Sequence, residues 1–268
     1  MKIVFLGSTQ FSKKLLMHLI SENFEIAAVF YMPKYFSISY SAKKIQNTNF
    51  ANLAVIADEN NIPVYEIDSR KGKKLIDHKL IIKDLKPDVI FALGWYYMIP
   101  KLIREIPKYG AWGIHASLLP KYAGGAPLVW AIINGEKETG VTLFKLSSGV
   151  DDGDIILQEK IVIGENDSIA QVYEKATIAS KKIMIMALKK TKTITFVKQD
   201  KEKIEIYPQR KPEDGLINWS WDKKRIKDFI RAQSKPYPGA FTIIKGKKII
   251  IHDAIIEDLE PDVVDKYS

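Results

Sequence analysis

Residues 110–154 read GAWGIHASLLPKYAGGAPLVWAIINGEKETGVTLFKLSSGVDDGD. An apolar run, Ala111, Trp112 and Ile114, carries a single histidine, His115, at its end. A Ser-Leu-Leu-Pro turn and a Gly-Gly loop follow. Further on comes an acidic loop, Asp151-Asp152-Gly153-Asp154. A histidine at a strand end and a carboxylate on a loop are parts of an acid/base site. A lone strand-end histidine is more often a satisfied structural group, so its setting has to decide.

Working outward, Lys2 to Leu6 is a buried-type strand that stops at Gly7-Ser8-Thr9, and Phe11 to Ile20 has apolar residues at helical spacing. Strand, glycine turn and helix open a βαβ unit. The turn is not GxGxxG, so no dinucleotide fingerprint is present. Its backbone N–H groups, with the hydroxyls of Ser8 and Thr9, form a candidate anion site at a helix N-terminus; a plain tight turn is the alternative. Further strands are expected at 26–30, 63–67, 88–93, 109–115, 141–146 and 154–163. Helices are expected at 53–60, 71–85, 100–106, 127–134 and 168–189. Ser168 with Gln171 makes a capping box for the last of these. The polar, aromatic stretch 31–49 reads as a long loop, a candidate lid. Alternating strands and helices imply a mostly parallel, doubly wound α/β sheet, covered on both faces.

The strand at 88–93 runs into Gly94-Trp95-Tyr96-Tyr97-Met98-Ile99-Pro100. Ligands in open α/β sheets bind outside the carboxyl ends of the strands. This aromatic turn is therefore either core or the wall of a pocket for a flat ring. After residue 190 the pattern changes. Short strands are expected at 193–199 and 203–207, then a helix at 221–233 and a hairpin over 240–252. This divides the chain into a larger unit, 1–190, and a small C-terminal α+β unit, 191–268. Trp219, Trp221, Tyr237 and Phe241 read as the small unit's own core, with a homodimer contact as the alternative.

The chain has 268 residues, 46% hydrophobic and 27% charged, which is ordinary for a globular protein. No run approaches the ~18 apolar residues of a membrane span, and the N-terminal run is too short for a signal peptide. Absence of cysteine excludes disulfides and cysteine nucleophiles and fits the cytoplasm. The net charge is +9, nearly all from lysine; the arginines are Arg70, Arg104, Arg210, Arg225 and Arg231. Nucleic-acid readers favour clustered arginine, so charge alone does not argue for a nucleic-acid partner. The three aspartates of the acidic loop lack EF-hand spacing, so no metal site is read there.

The runs IHASLLPKYAGGAP, NGEKETGVTLFKL and GVDDGDI resemble the folate-dependent formyltransferases. The run RAQSKPYPGAF at 231–241 also resembles a segment of that family's C-terminal unit. The resemblance implies a Rossmann-like formyltransferase fold and 10-formyltetrahydrofolate as formyl donor. It implies His115 and Asp151 as the catalytic pair. It also implies a folate pocket from Trp95, Tyr97, Met98 and Ile99 with Ser147, Val150 and Asp152. Lys121, Tyr122, Gly124 and Gly125 are implied beside the acceptor. One position departs from the pattern. The family has an asparagine two residues before the histidine, and this chain has Gly113. Losing one oxyanion donor costs ~10²–10³ in rate. Ser117 and Asn134 are candidate replacements.

The acceptor amine varies within this family. Members acting on tRNA carry a basic C-terminal barrel larger than the segment after Thr195. That length and the few arginines point to a nucleotide-linked amino sugar, with Ser8 and Thr9 for its pyrophosphate. The alternatives are methionyl-tRNA, and a catalytically impaired binding relative in which Gly113 has removed the chemistry.

Overall fold

A computed structural model describes residues 1–36, 45–68, 72, 74–191 and 193–256. Among them no helix is long and apolar enough to cross a membrane. The first strand, β1 (Lys2–Leu6), has every residue after Lys2 buried. Ile3 and Phe5 enter one apolar cluster and Val4 and Leu6 the other, so the strand is covered on both faces. The helix that follows, α1 (Gln10–Ser21), is capped by Thr9, whose side chain accepts from Ser12 N. β2 (Glu25–Tyr31) runs parallel to β1.

The stretch read as a loop contains a small antiparallel pair, β3 (Tyr35–Phe36) with β4 (Ile45–Gln46). Two-residue strands are too short to show a period, so the sequence hides them. The centre of the candidate lid, 37–44, lies outside the described residues. α2 (Leu53–Glu59) and β5 (Val64–Glu66) follow. The helix expected at 71–85 is shorter: a 3₁₀ turn at Leu75–His78 leads into α3 (Lys79–Leu85), and position 71 lies outside the described residues. β6 (Val89–Ala92), α4 (Lys101–Arg104) and β7 (Ala111–His115) follow as expected. A short strand, β8 (Ala123–Gly124), precedes α5 (Pro127–Ile133). β9 (Glu138–Lys145) and β10 (Ile155–Val162) lead to α6 (Ile169–Lys189), whose capping box has Ser168 N donating to Gln171 Oε1 at 2.8 Å.

The main sheet has seven strands in the order β10-β9-β7-β6-β1-β2-β5. Pairs from β7 to β5 are parallel. β9 is antiparallel to both β7 and β10. The carboxyl ends of β1, β6 and β7 thus lie on one edge; β9 runs the other way, from Thr142 beside His115 to Lys145 beside Trp112, so the β9–β10 connection leaves from the amino end of β7 and reaches back to His115 through Asp151. Ser12 Oγ donates to Leu93 O at 2.5 Å and ties the turn after β1 to the turn after β6. Gly7 and Gly94 leave no room for more: an added Cβ at Gly94, already at φ +61°, would sit 2.1 Å from Thr9 Oγ1.

The segment 193–199 holds only one bridge, Val197 with Ile155, instead of the expected strand. Of 203–207 only β11 (Ile206–Tyr207) forms, and it pairs in parallel with β8, not with its sequence neighbour. The C-terminal unit packs α7 (Lys223–Ala232) against the hairpin of β12 (Ala240–Ile244) and β13 (Lys247–Ile251). Ile217, Phe229, Ile230 and Ala240 are its core, with Trp221 against Phe229. Phe241 is buried, Trp219 lies exposed, and Tyr237 shares a hydrogen bond with Tyr173 of α6.

Candidate active site

His115 is the last residue of β7 and is 8% exposed. Its Nε2 lies 2.7 Å from Tyr122 O. Its Nδ1 lies 3.4 Å from Asp151 Oδ2. Both ring nitrogens therefore face oxygen acceptors. A neutral ring carrying its proton on Nε2 makes the first contact; only an imidazolium donates in both directions. Asp151 Oδ2 also accepts from Gly124 N at 2.9 Å. Asp151 itself has φ 50° and Tyr122 φ 56°, left-handed conformations that a non-glycine residue keeps only under local constraint.

Those constraints are visible. The turn after His115 hangs from Thr142, its cross-strand partner. Thr142 Oγ1 donates to Ser117 O at 2.7 Å and accepts from Leu119 N and Gln158 Nε2. A hydroxyl has one proton and two lone pairs, so this one is saturated. Ser117 Oγ donates to Lys121 O at 2.6 Å. Tyr122 Oη donates to Glu136 Oε1 at 2.8 Å and accepts from Asn134 Nδ2. Burial pushes the Tyr122 phenol above its ordinary range, against the Asn134 hydrogen bond and with help from Glu136. Ser117 and Asn134, the candidate substitutes for the missing amide, thus position the Tyr122 loop.

Gly113 and His115 share a face of β7, two residues apart. A Cβ on Gly113 would come within 2.9 Å of Leu146 Cδ2 and 3.3 Å of the Phe144 ring. Apolar side chains therefore occupy the space where an asparagine would stand.

Trp95 and Tyr97, from the first predicted half of the folate wall, pack against the same buried cluster as Ile99 and as Leu146, the residue before Ser147 of the second half. Met32 and Phe36 cover the other side of Trp95 and Tyr97. Met98 and Val150 are exposed, and Ile99 is buried core. Ser147 Oγ donates to Asp152 Oδ1, closing that loop on itself. Trp95 Nε1 is a buried donor with no partner among the described residues.

Other predicted residues are placed differently. Ser8 N and Thr9 N both donate to Ser12 Oγ, at 3.2 and 3.1 Å. Ser8 Oγ donates to Gly7 O and accepts from Met32 N. Their donors are engaged within the fold. Lys121 is exposed. Gly124 and Gly125 lie under the segment that joins the two units. Gly125 N donates to Tyr207 O at 2.8 Å, and a Cβ on Gly125 would sit 2.4 Å from Gln209 Cα.

That segment is a strap over both loops of the site. Tyr207 packs on Tyr122 at 4.7 Å, Trp130 Nε1 donates to Pro208 O, and Arg210 lies over Trp130 at 4.9 Å. Gln199 reaches the acidic loop itself. Neither the Tyr122 carbonyl nor the Gly124 N–H carries a sequence signal, because every residue has a backbone.

The structure thus brings His115 and Asp151 together. The formyl transferase family model matches residues 1–188. This chain belongs to the formyl transferase family. A second model, formyl transferase, C-terminal domain, matches 209–264. The methionyl-tRNA formyltransferase of Caldicellulosiruptor saccharolyticus is 35% identical over 261 residues, covering 97% of this chain and 81% of that protein. That of Geobacter metallireducens is 31% identical over 254 residues, covering 94% and 79%. Among solved structures, a 4-N formyltransferase from Francisella tularensis superposes with TM-score 0.70 at 18% identity, over 96% of this chain and 98% of that one. An N-formyltransferase from Helicobacter canadensis, in complex with folinic acid and dTDP-3-aminofucose, gives 0.67 at 22%, over 94% and 87%. These neighbours share the fold of this formyl transferase.

Proposed function

We propose that this chain transfers a formyl group from 10-formyltetrahydrofolate to a primary amine, with methionyl-tRNA as the acceptor. The observation that carries the chemistry is the contact of His115 Nδ1 with Asp151 Oδ2, both groups being held by backbone partners. The acceptor rests on the methionyl-tRNA formyltransferase relatives and on the C-terminal family match. This reverses the order of the sequence reading, which put the nucleotide-linked amino sugar first. Exposed Arg225, Lys245, Lys247 and Lys248 give the C-terminal unit cations for phosphate contacts.

The partly exposed rings of Trp95 and Tyr97, set edge to face and backed by the buried Phe36, offer the donor an apolar wall. The unpartnered Trp95 Nε1 suits a ligand that brings a hydrogen-bond acceptor. Attack of an amine on a formyl carbon develops negative charge on oxygen and leaves a proton on nitrogen. A protonated His115, with the Asp151 carboxylate beside it, stabilises that negative charge. Engaging it through Nε2 exchanges the bond to Tyr122 O. Asp151, or a water against it, takes the amine proton; the oxyanion then collapses, the bond between the formyl carbon and the donor nitrogen breaks, and that proton is passed to the leaving nitrogen, giving the formylated amine and tetrahydrofolate.

The second reading, a nucleotide-linked amino sugar, draws on the fold neighbours that span nearly all of this chain. The test is release of tetrahydrofolate from 10-formyltetrahydrofolate, with methionyl-tRNA and a panel of dTDP- and UDP-linked amino sugars as acceptors. Turnover of methionyl-tRNA that disappears in His115→Ala is expected. Turnover of an amino sugar alone would select the second reading. Donor binding without any turnover would mean that Gly113 has ended the chemistry.

A further inference from the structure

We propose that Gln199, on the strap between the two units, is a positioning residue for Asp151. Its side-chain Nε2 donates to two carbonyls of the acidic loop, Asp151 O and Gly153 O, each at 2.7 Å. The residue is 9% exposed. Only the NH₂ end of the amide can make both bonds, so its orientation is fixed by the chemistry; Oε1 is buried without a partner among the described residues. Val197, two residues earlier, delivers Gln199 to this spot by exchanging main-chain hydrogen bonds with Ile155 at 2.7 and 2.9 Å.

Asp151 needs such a hold. Its φ of 50° is strained for a residue with a Cβ. Gly153 is pressed on Lys145 O so closely that an added Cβ would lie 1.7 Å from it. The Asp151 carboxylate is fixed from the histidine side by Gly124 N and His115. The main chain behind it is fixed by Gln199. Removing both amide bonds releases the buried Gly153 carbonyl and the part-buried Asp151 carbonyl and lets the loop relax toward an ordinary φ, which moves the carboxylate relative to Nδ1. A displacement of about 1 Å in such a pair costs on the order of 10²-fold in rate.

The role rests on the proposed catalytic reading of His115 and Asp151, and the experiment keeps the two apart. Gln199→Leu keeps the bulk without the donors, and Gln199→Glu keeps the shape while replacing the NH₂ by oxygen. For each full-length variant, kcat per folded molecule and KM for 10-formyltetrahydrofolate are measured with methionyl-tRNA as acceptor. The ring ¹H–¹⁵N signal of His115, assigned by its loss in His115→Ala, is recorded alongside. The expected result is a loss of kcat on the order of 10²-fold with KM unchanged. The His115 signal should move toward its position in Asp151→Asn. A kcat that merely follows the folded fraction, with the His115 signal unmoved, would overturn the proposal. If methionyl-tRNA proves inert with the wild type, the acceptor reading fails and the His115 signal alone decides: moved supports Gln199, unmoved overturns it. Turnover retained in His115→Ala would overturn the catalytic reading and the positioning role together.

Discussion

Restoring the family asparagine at Gly113 should destabilise this protein. The first added atom, Cβ, meets Leu146 Cδ2 at 2.9 Å and the Phe144 ring at 3.3 and 3.4 Å. Three further heavy atoms of the amide must then go where these side chains already are. Leu146 is partly buried and can swing its terminal methyl; Phe144 is 3% exposed and cannot. Inserting atoms into a packed site costs ~1–3 kcal/mol, and one yielding neighbour puts this case at the lower end. At ~2–4 °C per kcal/mol for a chain of this size, the melting temperature should fall by a few degrees. The assay is thermal and urea unfolding of Gly113→Asn, Leu146→Ala and the double variant. Leu146→Ala alone should cost ~2–5 kcal/mol. The double variant should be more stable than the sum of the singles predicts, by ~0.5–3 kcal/mol, because the alanine makes room for the amide. Strict additivity, or a Gly113→Asn protein as stable as the wild type, would show that Leu146 and Phe144 do not fill the place of the asparagine.

Gly125→Ala should unseat the strap, since its Cβ would lie 2.4 Å from backbone at Gln209; limited proteolysis should then cut within 193–208, where the wild type resists. Tyr122→Phe removes the contacts with Glu136 and Asn134 but leaves the carbonyl that His115 uses. It should cost ~1 kcal/mol of stability and leave most turnover intact; a collapse of kcat would mean that the phenol itself touches substrate. The Asp167 carboxyl is held below its ordinary value: burial opposes this, but Lys175, the Gly164 N–H and Arg231 together outweigh it. A depressed folded value gives stability that is present above the unfolded value of ~3.9 and lost as pH falls through the folded one. Asp167→Asn should therefore flatten the loss of stability below about pH 4, read by urea unfolding across pH.

The elements that were readable in the sequence are those with long periodic signals. β1, β2 and β6 are continuous apolar runs because both sheet faces are covered, and α6 announces itself by spacing and by Ser168 with Gln171. His115 and Asp151, which the structure brings within 3.4 Å of each other, were readable because an imidazole and a carboxylate are themselves acid/base groups. The pairing of β11 with β8 was not, since two residues show no period and the partner lies far back in the chain. Ser8 and Thr9 were readable as polar groups at a helix start, but not the serine at position 12 that occupies their N–H groups. Gln199 was invisible in a polar segment, because its value lies in reaching two carbonyls that belong to other residues.

The strap lies against Gly124 and Gly125 on one loop and against Asp151 and Gly153 on the other before it enters the C-terminal unit. Its seating is therefore one equilibrium with two readers. Any acceptor that binds more tightly to the C-terminal unit with the strap seated must, by thermodynamic reciprocity, favour the ordered catalytic loops by the same factor. Conversely, a donor that orders those loops tightens the grip on that acceptor. On the proposed reading of His115 and Asp151, the connection between the two units would couple recognition of an acceptor by the C-terminal unit to assembly of that pair.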